Sequence, residues 1–153
     1  MGPQAPVLDI TTAAAGWSRV ADVSAILASR RAVAAAIFEE AFNRQHFENV
    51  NPALDAYTLH VGGATLSLGP GDLERLVAEW HAGFSDFHFE VHRVVAEGDV
   101  VAVHATLHGV HDGEWNGKPP TGAAYSSEHM FFIEFEDDQI VKVRELNDPT
   151  GLP

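Results

Sequence analysis

Apolar residues recur at a helical period in the first half of the chain and alternate with polar residues in the second half. Between Val20 and Phe42 they fall mostly at three- and four-residue steps, with no proline or glycine between them, which predicts an amphipathic helix. These positions are Val23, Leu27, Val33, Ile37, Phe38, Ala41 and Phe42. The same period returns over residues 72–83, where Asp72 is placed to cap a second helix and Gly83 to end it.

Two short elements are predicted between these helices. Asn51 and Pro52 are typical of the start of a short helix. An apolar run over residues 57–61 ends at Gly62 and Gly63, which predicts a short strand followed by a turn.

After Gly83 the pattern changes to strict alternation, which predicts half-buried strands. Residues 87–92 and 101–108 form the first two runs. They are joined through residues 97–99, a tight turn in which Gly98 supplies a positive φ.

The remaining strands follow a loop over residues 109–122. A long strand over residues 124–135 turns back into a last strand over residues 140–146. Because parallel strands need a crossover between them, helices followed by a strand meander indicate an α+β fold. We expect one domain over residues 19–153, preceded by a flexible N-terminal arm over residues 1–18.

Composition narrows the partners that the chain can have. Its 153 residues include 9 Lys and Arg against 22 Asp and Glu, a net charge of −13 with neutral histidines. Binding to nucleic acid or to an anionic membrane needs clustered basic residues, so the charge argues against both. The chain has no cysteine, which excludes disulfides, thiolate nucleophiles and Cys-type zinc sites.

Targeting signals are missing from the sequence as it stands. No apolar segment reaches the roughly 20 residues that span a bilayer. Residues 1–12 have neither the basic region nor the apolar core of a signal peptide. We therefore expect a cytoplasmic protein.

Four of the nine histidines lie on the polar face of the first hairpin. With a three-residue turn, His92 lies opposite His104 and His88 opposite His108, whereas another register puts Glu90 opposite His104. Their i, i+4 spacing along a strand is about 13 Å, too long for either sequence pair to hold one metal ion. We expect a solvated or subunit-contact surface, or alternatively a pH-sensitive cluster at an interface.

His129 shares its face of the long strand with mostly apolar residues. Burial disfavours the charged imidazole, so His129 is either a neutral base or a core histidine with a satisfied hydrogen bond. Arg144 lies in a strand expected to be central, where an unpaired guanidinium is costly. It either pairs with Glu128, Glu145 or Asp148, or it stabilises an anion such as an enolate.

Three further residues are candidates for a ligand site. His60, at the end of the first short strand, is a pocket residue or a polar residue at a rim. Trp80 and Trp115 either pack as core and loop anchors or line an aromatic cavity. The sequence has no phosphate-binding loop, dinucleotide fingerprint or Gly-x-Ser-x-Gly motif.

Four segments and one aspartate resemble the SnoaL-like polyketide cyclase family. The segments are VAEGDVVAV at 95–103, GVHDGEW at 109–115, GKPPTG at 117–122 and FEDDQIV at 135–141, and the aspartate is Asp148. The resemblance covers roughly residues 34–148. It implies a cone-shaped curved antiparallel sheet of the nuclear transport factor 2-like type, wrapped around the N-terminal helices, with an apolar pocket and a homodimeric assembly.

The resemblance also implies an activity. Polyketide cyclases of this family close a ring by intramolecular aldol addition without a metal or organic cofactor, using an acidic residue on the strand after Pro-Pro-Thr-Gly. The matching position in this chain is Phe131, whose phenyl ring cannot transfer a proton. The chemistry would then pass to His129, with Asp148 as orienting group or acid and Arg144 or His60 at the enolate oxygen.

We therefore expect a cofactor-independent small-molecule enzyme of secondary metabolism, a cyclase or isomerase acting on an apolar, polyketide-like substrate. The expected pocket residues are Phe38, Phe42, Trp80, Trp115, Tyr125 and Phe131. One alternative is a non-catalytic binding module, in which Phe131 records the loss of chemistry. Another is an epoxide-hydrolase-like enzyme, in which Asp148 and Glu128 would converge on a water molecule.

Overall fold

The structure is a computed structural model that describes Gly2 and residues 10–153, without the side chains of residues 10–18 and of residue 21. Helix α1 spans Ile10–Ala36 and continues into a π-helical turn over Ile37–Phe42, and helix α2 spans Asp72–Gly83. The strands are β1 Tyr57–Val61, β2 Ala64–Leu68, β3 Phe84–Glu97, β4 Val100–His111, β5 Ala124–Glu136 and β6 Gln139–Asn147. Single 3-10 turns cover Asn51–Ala53 and Pro149–Gly151.

Helix α1 begins earlier than its apolar pattern predicts. It starts at Ile10 instead of Val20, so residues 10–18 of the expected arm are helical. Residues 13–15 are all alanine, the residue with the highest helix propensity, and this favours helix without an apolar stripe. Residue 1 and residues 3–9 of the expected arm lie outside the described residues.

The π-helical turn at the end of α1 orients two phenylalanines into the core. Phe38 and Phe42 are both buried, and their ring centroids lie 6.1 Å apart. Phe38 also packs on Phe131 of β5, with ring centroids 4.7 Å apart. This turn therefore supplies much of the aromatic surface that meets the sheet.

One six-stranded sheet carries the domain, in the order β2-β1-β6-β5-β4-β3. The helices pack on one face, here called the inner face, and the predicted α+β fold is confirmed. The sheet is mixed, however, because β1 pairs parallel to β6 while every other pairing is antiparallel. A parallel pair needs a long connection, and the whole α2-to-β6 segment provides it. Strand β2 was not predicted.

The β3–β4 hairpin differs from its predicted register. Glu97 pairs with Val100, so the turn has two residues, with Gly98 at a φ of +55°. A β-bulge between Val91 and Arg93 then shifts the register by one residue.

The bulge decides which histidines face one another across the hairpin. His88 lies opposite His108 as predicted, because the bulge offsets the shorter turn. His104 lies opposite Arg93 instead of His92, which is the bulged residue. Glu90 lies opposite Thr106, so the alternative register is excluded as well.

The two faces of the sheet differ in cover. Alternate residues of β4 and β5 on the inner face are buried against α1, its π-helical turn and α2. On the opposite face, here called the outer face, several large apolar side chains are about half exposed or more. These are Val95, Met130, Phe132 and Leu146.

Candidate functional site

A cavity of about 620 Å³ lies between the inner face of the sheet, α2 and the loop over residues 112–123. Four of the six predicted pocket residues line it, namely Phe42, Trp80, Trp115 and Phe131. Further apolar lining comes from Leu59, Val61, Leu66, Leu76, Ala82, Phe89 and Leu152. The polar lining residues are Glu79, Glu114, Asn116, Glu145 and Asn147.

A smaller cavity of about 60 Å³ adjoins the first and shares five lining residues with it, Phe42, Leu59, Leu76, Phe131 and Glu145. Phe38, the fifth predicted pocket residue, lines this inner cavity. Tyr57 lines it too, and burial, followed by the charge of Asp72, raises the pKa of Tyr57 to about 12. The inner cavity is therefore a small, mainly apolar extension with a neutral phenol in its wall.

Tyr125, the sixth predicted pocket residue, lines neither cavity. Its ring lies 6.0 Å from that of His111 and 6.3 Å from that of Phe84, centroid to centroid. His111 is fully buried, and its carbonyl oxygen accepts hydrogen bonds from the backbone N–H groups of Thr121 and Gly122, at 3.1 and 2.8 Å. Tyr125 and His111 thus hold the base of the loop over residues 112–123.

Two glycines let this loop close over the end of α2. A Cβ on Gly83 would lie 2.7 Å from Cβ of Trp115, and one on Gly113 would lie 2.0 Å from the carbonyl oxygen of Ala82. The backbone N–H of Gly113 donates to the carbonyl oxygen of Gly83 at 3.0 Å. Trp115 consequently reaches Trp80, with ring centroids 4.7 Å apart, and the two indoles form one wall of the cavity.

A histidine–carboxylate pair lies at the base of the cavity. Nδ1 of His129 is 2.8 Å from Oε1 of Glu145. The His129 side chain is 1% exposed and that of Glu145 16% exposed. Glu145 lines the cavity, whereas His129 lies behind it between the rings of Phe89 and Phe131, at 5.5 and 5.9 Å.

The bonding of His129 follows from what surrounds it. Its Nε2 is buried and has no hydrogen-bond partner among the described residues. A second proton on the ring would leave a charged N–H unpaired in an aromatic environment, which is costly. A neutral ring that donates Nδ1–H to an ionised Glu145 carboxylate satisfies the one contact that the ring makes.

His60 and Arg144 do not reach the cavity. They lie opposite each other in the parallel β1–β6 pair, and Arg144 also lies opposite Phe132, on the outer face. His60 contacts Thr58 and Thr65 at 3.2 and 3.1 Å. The expectation that either residue meets an enolate oxygen in the cavity is therefore wrong. The alternation of β6 places Arg144 on the outer face, and His60 pairs with it there.

The expected ion pair of Arg144 is not formed either. Within the described part of the chain, no carboxylate lies within 4.0 Å of its guanidinium. Glu145 points to the inner face and Glu128 pairs with His104. Arg144 is exposed, so solvent hydrates its guanidinium. A buried guanidinium would have needed a carboxylate partner instead.

Asp148 has a structural contact in place of the expected catalytic one. Its Oδ1 accepts hydrogen bonds from the backbone N–H and the hydroxyl of Thr150, at 3.0 and 2.7 Å. These bonds lower the pKa of Asp148. The carboxylate caps the turn over Pro149–Gly151, and Glu145 is the residue that orients His129.

The sequence contained a signal for Glu145 and Asn147 that was missed. In the last strand, Val143, Glu145 and Asn147 alternate with Lys142 and Arg144, so one set must face the core. A carboxylate and an amide in the inward set mark a polar site in an apolar wall. Their register beside His129 and Phe131 came only from the structure.

The outer-face histidines form two cross-strand pairs. The rings of His88 and His108 stack with centroids 4.9 Å apart, and those of His92 and His104 are tilted at 4.9 Å. His108 contacts Glu90 at 3.0 Å. Across Gly2 and residues 10–153, where side chains are described, no group of three or more His, Asp or Glu residues is arranged to hold a metal ion.

The chain matches the family model of the SnoaL-like polyketide cyclases over residues 32–152. It therefore belongs to this family, and its fold is the nuclear transport factor 2-like cone. No curated protein matches the sequence.

Solved structures of bacterial proteins share the fold. TsrD from Streptomyces laurentii has a TM-score of 0.70 at 19% identity, over 81% of this chain and 91% of that chain. AclR from Streptomyces galilaeus, a proposed hydroxylase, has a TM-score of 0.67 at 23% identity, over 82% of each chain. IdmH from Streptomyces antibioticus, a proposed polyketide cyclase, has a TM-score of 0.62 at 22% identity, over 78% of this chain and 91% of that chain.

In the part of the chain that the structure describes, no helix is both long and apolar enough to cross a membrane.

Proposed function

We propose that this protein is a small-molecule enzyme of secondary metabolism, a cyclase or isomerase that transfers a proton within its apolar cavity. Glu145 is the acid–base group and His129 is its positioning partner. The observation that carries the proposal is the Glu145 carboxylate on the cavity wall, hydrogen-bonded at 2.8 Å to a buried imidazole. Carboxylates held in this way are common general bases, because a fixed orientation places them against the proton that they remove.

The position of Glu145 fits the departure at Phe131. The resemblance places the family's acidic residue at position 131 of β5, and Glu145 lies directly opposite Phe131 on β6. Opposed residues of an antiparallel pair have Cβ atoms about 4.5–5.5 Å apart. A carboxylate moved across one strand pair therefore still serves the same end of the cavity.

The proposed reaction begins with a carbon acid. Glu145 removes a proton from a carbon next to a substrate carbonyl, and the electron pair moves onto the carbonyl oxygen to give an enolate. In a cyclase the enolate carbon then attacks a second carbonyl of the same molecule, and the protonated Glu145 returns its proton to the new alkoxide. In an isomerase, Glu145 returns the proton to a different carbon. Neither route consumes another reactant.

Two groups near Glu145 support this step. His129 donates Nδ1–H to Oε1, which leaves Oε2 without a hydrogen bond to any described residue. Asn147 lies two residues further along the same face of β6 and also lines the cavity. Its amide N–H is the proposed donor to the enolate oxygen, a contact typically worth about 10²–10³ in rate.

The test uses a neutral ketone, 2-acetonaphthone, in D₂O. We expect the protein to exchange the methyl hydrogens faster than buffer alone, as followed by NMR, and Glu145→Gln to lower this catalysed rate by at least about 10². Glu128→Gln is the matched control, since it removes a carboxylate from the outer face of the neighbouring strand. Binding without catalysed exchange, or full exchange by Glu145→Gln, would refute the proposal, and the first result would favour a binding module.

We also propose that the protein is a homodimer that pairs through the outer face. Met130 lies opposite Leu146, and Phe132 is two residues along the same face of β5. Each is about half exposed or more, an unusual concentration of apolar surface for a monomer. Light scattering after size exclusion should give a dimer, and Phe132→Glu should give a folded monomer. A monomeric parent protein would contradict this assembly.

A further inference from the structure

The charged side chains on the cavity wall have one sign. Among the described residues that line it, the charged members are Glu79, Glu114 and Glu145, and none is Lys, Arg or His. Residues 1–18, most of whose side chains are not described, contain no Lys, Arg or His either. No basic side chain of the described lining balances these carboxylates.

The basic residues of the chain are held elsewhere. Four of them form ion pairs away from the cavity, namely Arg30 with Asp99, Arg44 with Glu40, Arg75 with Asp72 and Lys142 with Glu134. Lys118 follows Trp115 in the same loop, but its Nζ donates to the carbonyl oxygen of Pro153 at 2.7 Å. None of the nine Lys and Arg residues lines the cavity, so the ligand is the source of positive charge that can meet the wall carboxylates.

Two of the carboxylates line the cavity together with the tryptophan pair. Glu79 directly precedes Trp80 on α2, and Glu114 directly precedes Trp115 in the loop. Both glutamates are exposed, and neither makes an ion pair within the described part of the chain. The two indole rings are in contact, with centroids 4.7 Å apart. Trp80 already packs on the ring of Phe87 as well as on that of Trp115, with centroids 5.5 and 4.7 Å apart, so Trp115 is the indole that the cavity wall offers to a ligand. Aromatic faces attract ammonium groups, most strongly those of tryptophan, and this attraction adds to that of the carboxylates.

We propose that the cavity selects a ligand with an apolar, aromatic-sized body and a protonated amine, the amine lying at the rim beside Trp80 and Trp115. The proposal rests on the proposed function only in taking this cavity as the substrate site. A cleft of one charge, bordered by apolar walls, concentrates ions of the opposite sign and repels those of its own. Carboxylate and phosphate ligands are disfavoured for the same reason.

The orientation of the ligand follows from the depth of each group. Glu79 and Glu114 are exposed at the rim, whereas Glu145 is 16% exposed and lies beside Phe131. An amine held at the rim leaves the apolar body to fill the cavity toward Phe131. The carbon that loses its proton would then meet Glu145, and the amine would take no part in the chemistry.

The experiment compares three probes that share one body, 2-naphthylmethylamine, 2-naphthylmethanol and 2-naphthoate. Quenching of tryptophan fluorescence, supported by calorimetry, gives the dissociation constants. We expect the amine to bind about tenfold more tightly than the alcohol at low salt, and the carboxylate to bind most weakly. Added salt should reduce the advantage of the amine, since the rim carboxylates are exposed.

The double variant Glu79→Gln/Glu114→Gln should bring the affinity of the amine to within about threefold of that of the alcohol, without weakening the alcohol. Glu39→Gln/Glu136→Gln removes the same net charge from exposed positions outside the cavity and should keep the full preference. A parent protein that binds amine and alcohol equally would overturn the proposal. So would a preference that survives in the rim variant.

The two proposals fail in different ways. Glu145→Gln should abolish catalysed exchange of the neutral ketone and keep the preference for the amine, because Glu145 lies below the rim. Exchange that depends on Glu145, without any preference for the amine, would refute the ligand class alone. A preference for the amine, together with exchange that does not depend on Glu145, would refute the acid–base assignment alone.

Discussion

Two histidine–glutamate pairs lie on opposite faces of the sheet, and each uses a neighbouring residue of β5. On the inner face His129 contacts Glu145 at 2.8 Å, with side chains 1% and 16% exposed. On the outer face Glu128 contacts His104 at 2.5 Å, with side chains 61% and 34% exposed. The two pairs consist of the same residue types at similar contact distances, but they differ in how far their side chains are exposed to solvent.

Solvation determines what each pair can do. Exposed ion pairs contribute about 0.2–1 kcal/mol, because water competes for both partners and salt screens them. The members of a buried pair are coupled more strongly. If one partner is lost, water does not replace it and the other polar group stays unpaired. Glu145 of the inner pair also lines the cavity, so its carboxylate combines a fixed position with access from the cavity.

The largest difference between the faces should appear in activity. Glu145→Gln keeps the shape and a hydrogen-bond acceptor but removes the base, so we expect a loss of about 10²–10⁴ in the rate of proton transfer. Glu128→Gln should leave that rate within about twofold, because its carboxylate lies on the other side of the sheet. Deuterium exchange of 2-acetonaphthone measures both variants. Equal losses of rate in Glu145→Gln and Glu128→Gln would contradict the assignment of proton transfer to the inner face.

Stability should separate the faces next. His129→Ala empties a buried site and leaves the Glu145 carboxylate unpaired, so we expect a loss of about 3–5 kcal/mol in the free energy of unfolding. His104→Ala, compared in the monomeric Phe132→Glu background, should cost about 1 kcal/mol or less, because solvent replaces the lost partner there. Urea denaturation measures both. His129→Gln, which restores a donor at that site, should recover part of the loss, whereas a merely filled cavity, as in His129→Leu, should recover less.

Only one member of the inner pair, His129, could be predicted from the sequence. Alternation along β5 placed His129 on the core face, because the period of a strand is local information. Its partner depends on how β6 pairs with β5, including the irregularity between Glu134 and Phe135. Both faces of β6 carry polar residues, so the pattern did not show whether Arg144 or Glu145 turned inward. The alternation marks Glu145 and Asn147 as one candidate inward set, but it does not choose between that set and the one with Arg144.

The hairpin shows the same limit on the outer face. The pairing of His88 with His108 was predicted, but from a three-residue turn that the protein does not have. A two-residue turn and the bulge at His92 together give the same register. Bulges are set by the twist and contacts of the whole sheet, so spacing along one strand does not reveal them. His60 was likewise misplaced, because its parallel partner lies more than 80 residues away in sequence.

A smaller effect should follow from disturbing the loop that closes the inner face. Gly113→Ala places a Cβ about 2.0 Å from the carbonyl oxygen of Ala82, and backbone on both sides must shift. We expect a loss of about 1–3 kcal/mol in stability. Fluorescence of Trp80 and Trp115 should change with it, while the NMR chemical shifts of the outer-face histidine rings should stay the same. Gly117→Ala is the control, since a Cβ there meets nothing within 4 Å, although its φ of +75° carries a cost of its own.

The smallest effect should come from Asp148, which directly follows the last residue of β6. The bonds from Thr150 lower its pKa below the ordinary value of 3.8, so its contribution to stability is present above 3.8 and is lost as pH falls through the lowered value. Asp148→Asn keeps a cap for the turn and loses this titration. The melting temperature of Asp148→Asn should lie slightly below that of the parent near neutral pH, and the difference should shrink as the pH falls below 3.8. Asp22→Asn is the control, since it removes the same charge from an exposed position on α1 and should keep the parent's dependence of melting temperature on pH. If all three proteins show the same dependence below pH 3.8, the acid sensitivity comes from other carboxylates.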